Sequence, residues 1–231
     1  SGKLTTLIEQ VKTSEQQRQE AQIELLQMQI NPHFIYNTME VFSSKMKLYG
    51  HYEESDCLVA FANIFRYNIS TNDALVEVRM ELQQLRNYLR IQQLRYPQIS
   101  FESDIPEDLL AAQIPKFTLQ PIMENAISHG ISDSSQALSL HIVAARKGDR
   151  LLFHMKDNGA GIPPEKLSEL NHILHHAGHT PDITSDGHSV GLKNVNARLE
   201  LYFGKESCLS ITSVPGLETC VSFEIPCRLP E

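Results

Sequence analysis

The sequence predicts an α+β protein in two parts: a helical hairpin, then a sandwich with helices on one face of a mixed sheet. Three observations predict it. Apolar residues recur at helical spacing from Leu25 to Leu89, and from Pro97 onward the pattern turns to short alternating runs separated by helical stretches. The 231 residues are 41% hydrophobic and 21% charged, enough for two modest domains. Pro97 marks the boundary, with a helical part over residues 1–98 and a layered α/β part over 99–231.

Composition excludes several classes. A net charge of −8 without a basic stripe argues against nucleic-acid binding, which needs clustered Lys and Arg on phosphates. Cys57, Cys208, Cys220 and Cys227 lack CxxC spacing and are expected to be reduced, intracellular thiols. No run of about 18 apolar residues is present to span a bilayer. Because the first motif lies almost at the N-terminus, the chain reads as the soluble end of a longer protein.

Thr5 to Ala21 lacks Gly and Pro and is rich in Gln and Glu, which favours a solvated incoming helix. The next helix runs through QMQINPHFIYNTME (27–40) to about Leu48 and is broken by Gly50. At about 100° per residue, Leu25, Met28, Ile35, Tyr36, Met39, Phe42, Met46 and Tyr49 fall on one apolar arc, the expected core seam. His33, Asn37, Glu40, Ser44 and Lys47 form a polar stripe, so His33 is presented outward. A neutral imidazole held outward carries a lone pair and is a candidate nucleophile. Pro32 removes a backbone donor and predicts a kink there.

Ser55 to Ser70 predicts a second helix, completing a hairpin with too little apolar surface to close on itself. A four-helix bundle built from two chains is the remedy, so a homodimer is expected. Leu75, Val78, Leu82, Leu85 and Leu89 predict a third helix reaching about Arg95. In the second part, 99–103 reads as a strand, 105–110 as a turn, and Pro115 as the opening of a helix holding PIMENAISHG. Residues 138–145 and 150–157 read as a hairpin about KGD. A helix to about His176, a polar loop, a helix from Leu192 to about Tyr202, and strands over 208–213 and 219–225 complete the pattern.

Three motifs in this part carry chemistry. Asn125 offers a neutral oxygen of the kind Mg²⁺ takes when it is shared with phosphates. Asp157, at a strand end before Gly159 and Gly161, can accept a hydrogen bond from an adenine amino group while the glycines admit the base closely. Gly187 and Gly191 precede a helix whose free N–H groups and dipole favour phosphate. His172, His175, His176 and His179 invite a zinc reading, which fails because no cysteine or acid completes a tetrahedral set.

QINPHFIYNTM resembles the phosphoacceptor box of the LytS/YesM-type sensor histidine kinases, close to Q-x-N-P-H-F-x-[FY]-N. The three later motifs, in order and spacing, are similar to the N, G1 and G2 boxes of the ATP-binding fold shared by histidine kinases, DNA gyrase, the heat-shock Hsp90 chaperones and MutL. The resemblance implies His33 as phosphoacceptor and Asn125 as the Mg²⁺-binding asparagine. It implies Asp157 as the adenine-reading acid, Gly159, Gly161, Gly187 and Gly191 as loop glycines, and His129, Gly130 and Leu192 as further nucleotide-binding positions. Residues 177–189 would form the lid over ATP.

It further implies a sensory and transmembrane segment upstream, a place at the cytoplasmic face of the membrane, and a response-regulator partner. Two departures stand out. Phe34 follows the histidine where better-known histidine kinases carry an acid, and Ser189 replaces the middle glycine of the third box. Asn37, one turn after His33, is a second candidate: its carboxamide could orient water for dephosphorylating the regulator, or merely solvate the stripe. Two rival readings stay open, a gyrase- or MutL-like ATPase and a catalytically silent dimeric scaffold that binds nucleotide.

Overall fold

The computed structural model describes residues 32–70, 73–131, 137–176 and 189–229. The expected helix over 5–21, together with Leu25, Met28, His179, Gly187 and residues 177–188 of the expected lid, lies outside the described residues. The chain divides into two compact units, residues 1–62 and 63–231.

Helices α1 (Pro32–Leu48) and α2 (Tyr52–Ser70) form the hairpin. Its inner seam is part polar: Ser43 and Ser55 are buried, their hydroxyls 2.7 Å apart, and Ser55 Oγ donates to the Ser43 carbonyl at 2.9 Å. The stripe of His33, Asn37, Glu40, Ser44 and Lys47 is exposed throughout. Of the expected seam, Phe42 and Tyr49 are 55% and 71% exposed in the single chain. Within one copy the short, buried serines take the inter-helix position, and only Ile35, Tyr36, Met39 and Met46 of the described arc are partly covered.

The third helix also starts later than its leucine repeat predicts. Leu75 belongs to β1 (Leu75–Glu77), which pairs antiparallel with β3 (Gln113–Pro115), and α3 spans Val78–Arg95. Val78, Leu82, Leu85 and Leu89 are its buried stripe. After β2 (Ile99–Asp104) comes a 3₁₀ turn, Glu107–Leu109. Helix α4 (Leu119–Gly130) begins four residues beyond Pro115, because β3 occupies that proline and Phe117 adopts a left-handed φ of 62° that no helix continues through.

Strands β4 (Leu138–Lys147) and β5 (Arg150–Asp157) form the predicted hairpin. Helices α5 (Pro164–His176) and α6 (Ser189–Phe203) and strands β6 (Ser210–Val214) and β7 (Glu218–Pro226) follow. The sheet order is β2-β4-β5-β7-β6, with β2 parallel to β4 and the other pairs antiparallel.

Period-two alternation puts Leu151, Phe153 and Met155 of β5 beside Val221, Phe223 and Ile225 of β7 on the covered face. Phe153 stacks on Phe223 with centroids 4.9 Å apart. Ile122, Met123 and Ile127 of α4 and Leu192, Val195 and Leu199 of α6 close this core. The strand ends carrying Asp157 and Thr219 are thereby held beneath α4.

Candidate functional site

A cavity of about 390 Å³ opens where α4, the end of β5, α5 and the start of β7 meet. Asn125, His129, Gly130, Asp157, Gly161 and Leu192 line it, so six of the sequence-predicted positions share one wall system. Gly159 stands just behind: a Cβ there would fall onto the Gly130 Cα and 2.8 Å from Asp157 Oδ1. A Cβ on Gly130 would lie 2.8 Å from Leu138 Cδ1, the end of a side chain that can turn aside. The two backbones therefore touch at a point where Gly159 cannot carry a side chain. Gly161, at φ 69°, sits in the left-handed region and packs on the Val214 carbonyl, tying the loop to β6.

Asp157 ends β5 on its buried side and is 8% exposed. The Gly159 N–H donates to its Oδ1 at 2.9 Å, which fixes the carboxyl plane at the cavity. Burial raises its pKa to about 6; the Gly159 hydrogen bond opposes this, and Glu218 adds to it. Thr219, 8% exposed and paired with Asp157 across the β5–β7 ladder, also lines the cavity. Sequence reading missed Thr219, although its inward place follows from alternation with Val221, Phe223 and Ile225. Lys166 and Glu169 of α5 add charge of both signs to the wall and were missed too.

The Asn125 carboxamide makes no hydrogen bond to a described residue, so its oxygen is available to a ligand. Among the described residues no cluster of three His, Cys, Asp or Glu could hold a metal ion, so an ion here would be completed by ligand oxygens, as Mg²⁺ on phosphates is. A second hollow, of about 270 Å³, lies on the other side of α4 and is lined by Glu124, Pro121, Gln120, Gly191 and Arg198. Gly191 thus faces this hollow, where a Cβ would meet Pro121 Cβ at an ordinary 3.7 Å.

His33 is exposed on α1 in the first compact unit, and Asn37 Nδ2 lies 3.3 Å from its Nδ1. Phe34, the residue that replaces an acid, is 68% exposed. Among the described residues no helix is long and apolar enough to cross a membrane.

A buried acid at a strand end, a close contact of two glycine backbones beside it, and an asparagine on the facing helix, all on a mixed sheet with one helical layer, are the features of an ATP-binding domain. Comparison with known families agrees. Residues 115–229 match the family model described as histidine kinase-, DNA gyrase B- and HSP90-like ATPase, and residues 21–100 match the histidine kinase model. The sensor protein LytS of Staphylococcus saprophyticus is 31% identical over 196 residues, 84% of this chain and 32% of that protein.

The sensor histidine kinase YesM of Bacillus subtilis is 30% identical over 210 residues, 90% of this chain and 34% of that protein. LytS of Oceanobacillus iheyensis is 33% identical, covering 90% of this chain and 35% of that protein. A mycobacterial sensor histidine kinase MprB structure superposes with a TM-score of 0.47 at 14% identity, over 68% of this chain and 98% of that one. The chain belongs to the histidine kinases of the LytS and YesM type, and it spans about a third of the length of these curated relatives.

Proposed function

We propose that this chain is the kinase core of a two-component sensor, transferring the γ-phosphoryl group of ATP to His33. The observation that carries the reading is the Asp157 carboxyl, held at the cavity by Gly159 with Asn125 on the facing wall. Asp157 would accept from the adenine amino group in the cavity lined by Gly130 and Gly161, and the Asn125 oxygen would hold Mg²⁺. A bound Mg²⁺ supplies charge neutralisation on the phosphates. The protein's own contribution is then positioning.

In the transfer, a His33 ring nitrogen forms a bond to the γ-phosphorus as the bond to the β–γ bridging oxygen breaks. ADP leaves with that electron pair, and the imidazole proton passes to solvent. Asn37 Nδ2, 3.3 Å from Nδ1, would steady the imidazole on the outward face of α1.

The exposed Phe42, Tyr49 and Phe61 of the hairpin support a homodimer in which two hairpins form a four-helix bundle. The functional division proposed is 1–98 for dimerisation and phosphotransfer and 99–231 for ATP binding. The aspartate of a response regulator would receive the phosphoryl group, at the cytoplasmic face of the membrane that an upstream segment spans. The test is incubation with γ-labelled ATP. An acid-labile, alkali-stable label should appear and be lost in His33→Gln, with ATP binding retained; label persisting in that variant overturns the acceptor assignment.

A further inference from the structure

Helix α4, which carries Asn125, has no side-chain cap of its own: Thr118 at its N-cap makes none. Its opening N–H groups are instead taken by a carboxylate from another helix. Glu81 of α3 is 2% exposed and accepts from Phe117 N at 2.7 Å (Oε1), Thr118 N at 2.7 Å (Oε2) and Leu119 N at 2.9 Å (Oε2). Pro121, in the same first turn, has no N–H to offer. Capping from outside ties the start of α4 to α3, and the anion also meets the positive end of the helix dipole.

The same carboxylate has a fourth donor. Tyr67 Oη, three residues from the end of α2, donates to Glu81 Oε1 at 2.5 Å. Around this point Lys116 Nζ donates to the Tyr67 carbonyl at 2.6 Å, Arg198 of α6 donates to the Phe117 carbonyl at 2.5 Å, and the Tyr67 and Phe117 rings meet edge to face at 5.6 Å. Phe117 keeps its left-handed φ of 62° here, a conformation that persists only when its surroundings over-determine it. Helix α3, the start of α4 and the end of the hairpin's second helix therefore converge on one buried anion.

We infer that Glu81 is a positioning residue for phosphotransfer: it sets the start of α4, and hence Asn125, by reference to the end of α2, the helix continuous with the phosphoacceptor hairpin. The inference rests on the kinase reading for its consequence, but its geometry is independent of His33. Displacing the end of α2 shifts the Tyr67 hydroxyl, and the carboxylate it shares with α4 transmits that shift to the nucleotide helix. By reciprocity, nucleotide held on α4 should steady the end of α2.

The experiment uses the full chain, wild type, Tyr67→Phe and Glu81→Gln, with a non-hydrolysable ATP analogue plus Mg²⁺. Tyr67→Phe removes one donor and leaves the three backbone bonds. Nucleotide affinity should stay within about twofold, the rate of His33 labelling at saturating ATP should fall about tenfold, and nucleotide-induced protection of amides 63–70 from hydrogen exchange should disappear. Glu81→Gln turns an amide donor toward backbone donors, and nucleotide affinity itself should fall about tenfold or more.

Wild-type labelling with unchanged protection of 63–70 in Tyr67→Phe overturns the inference, whether or not Glu81→Gln folds. So does nucleotide binding that never protects 63–70 in the wild type. If the wild type binds nucleotide and protects 63–70 but never labels His33, the kinase reading falls and the coupling through Glu81 stands. If it binds no nucleotide, both fall.

Discussion

Replacing Asp157 by Asn should make the unliganded protein more stable and the nucleotide complex far weaker. The carboxyl is 8% exposed, and burial lifts its pKa from 3.8 to about 6. Because the folded value is the higher one, the native state binds more protons than the unfolded chain between these values. Stability is therefore lost as pH rises through that window and stays level above about 6. At 1.36 kcal/mol per pH unit the cost near pH 7 is roughly 2–3 kcal/mol.

An asparagine bears no such cost, and its Oδ1 can still accept the Gly159 N–H now bonded at 2.9 Å. Urea unfolding near pH 7 should show Asp157→Asn more stable by roughly 2–3 kcal/mol, with a flatter pH dependence through the window. Calorimetric titration should show ATP affinity falling at least about 30-fold, since an amide donor would face the adenine amino group at a loss of about 2 kcal/mol or more. Wild-type affinity should itself decline as pH drops below about 6 and the carboxyl takes up its proton. A variant of wild-type stability that binds ATP as well as the parent would refute the reasoning.

Gly159→Ala should abolish nucleotide binding and lower the unfolding midpoint, because its Cβ would overlap the Gly130 backbone; an alanine variant that binds normally would show that the contact opens freely. Asn196 is 6% exposed, donates to the Leu174 carbonyl at 2.7 Å and accepts from Leu209 N at 2.7 Å. Asn196→Ala should cost about 3 kcal/mol by stranding two buried partners, a fall of roughly 6–12 °C in thermal midpoint. Steady-state ATP hydrolysis should stay far below about 10 per second and be unchanged in Glu124→Gln at saturating ATP. One turn before Asn125 stands Pro121, which has no carboxylate to activate water, and Glu124 is engaged by Gln120 Nε2 at 2.8 Å beside a different hollow.

The elements legible in the sequence were those with unbroken periodicity. Alternation over 138–157 fixes the β4–β5 hairpin, and the spacing of Val78, Leu82, Leu85 and Leu89 fixes the buried stripe of α3. The errors fall where a long-range partner decides. Leu75 continues the leucine repeat but is drawn into a ladder with Pro115, forty residues on, and no local pattern announces that pairing.

Pro115 has the right chemistry to open a helix, yet α4 waits for the cap that Glu81 supplies from α3. Glu81 itself looks like one more solvated charge on an amphipathic helix; only its burial reveals it. In the site, Asn125, Asp157, Gly159 and Gly161 were singled out by the joint resemblance of three motifs to the N, G1 and G2 boxes, since alone an asparagine on a helix or a glycine turn says little. Thr219 and Lys166 enter the cavity only once sheet order and helix placement are known.

The central claim is that phosphoryl moves from ATP in the cavity to the outward face of α1. Tandem mass spectrometry of the full chain, after brief incubation with ATP and Mg²⁺ and proteolysis at neutral to alkaline pH, locates the group directly. The expected result is a single phosphorylated peptide with the modification on His33, absent in Asn125→Ala and in Asp157→Asn at limiting ATP. Phosphate on another residue, or rapid ATP turnover that survives His33→Gln and disappears in Glu124→Gln, would contradict the account and favour an ATPase.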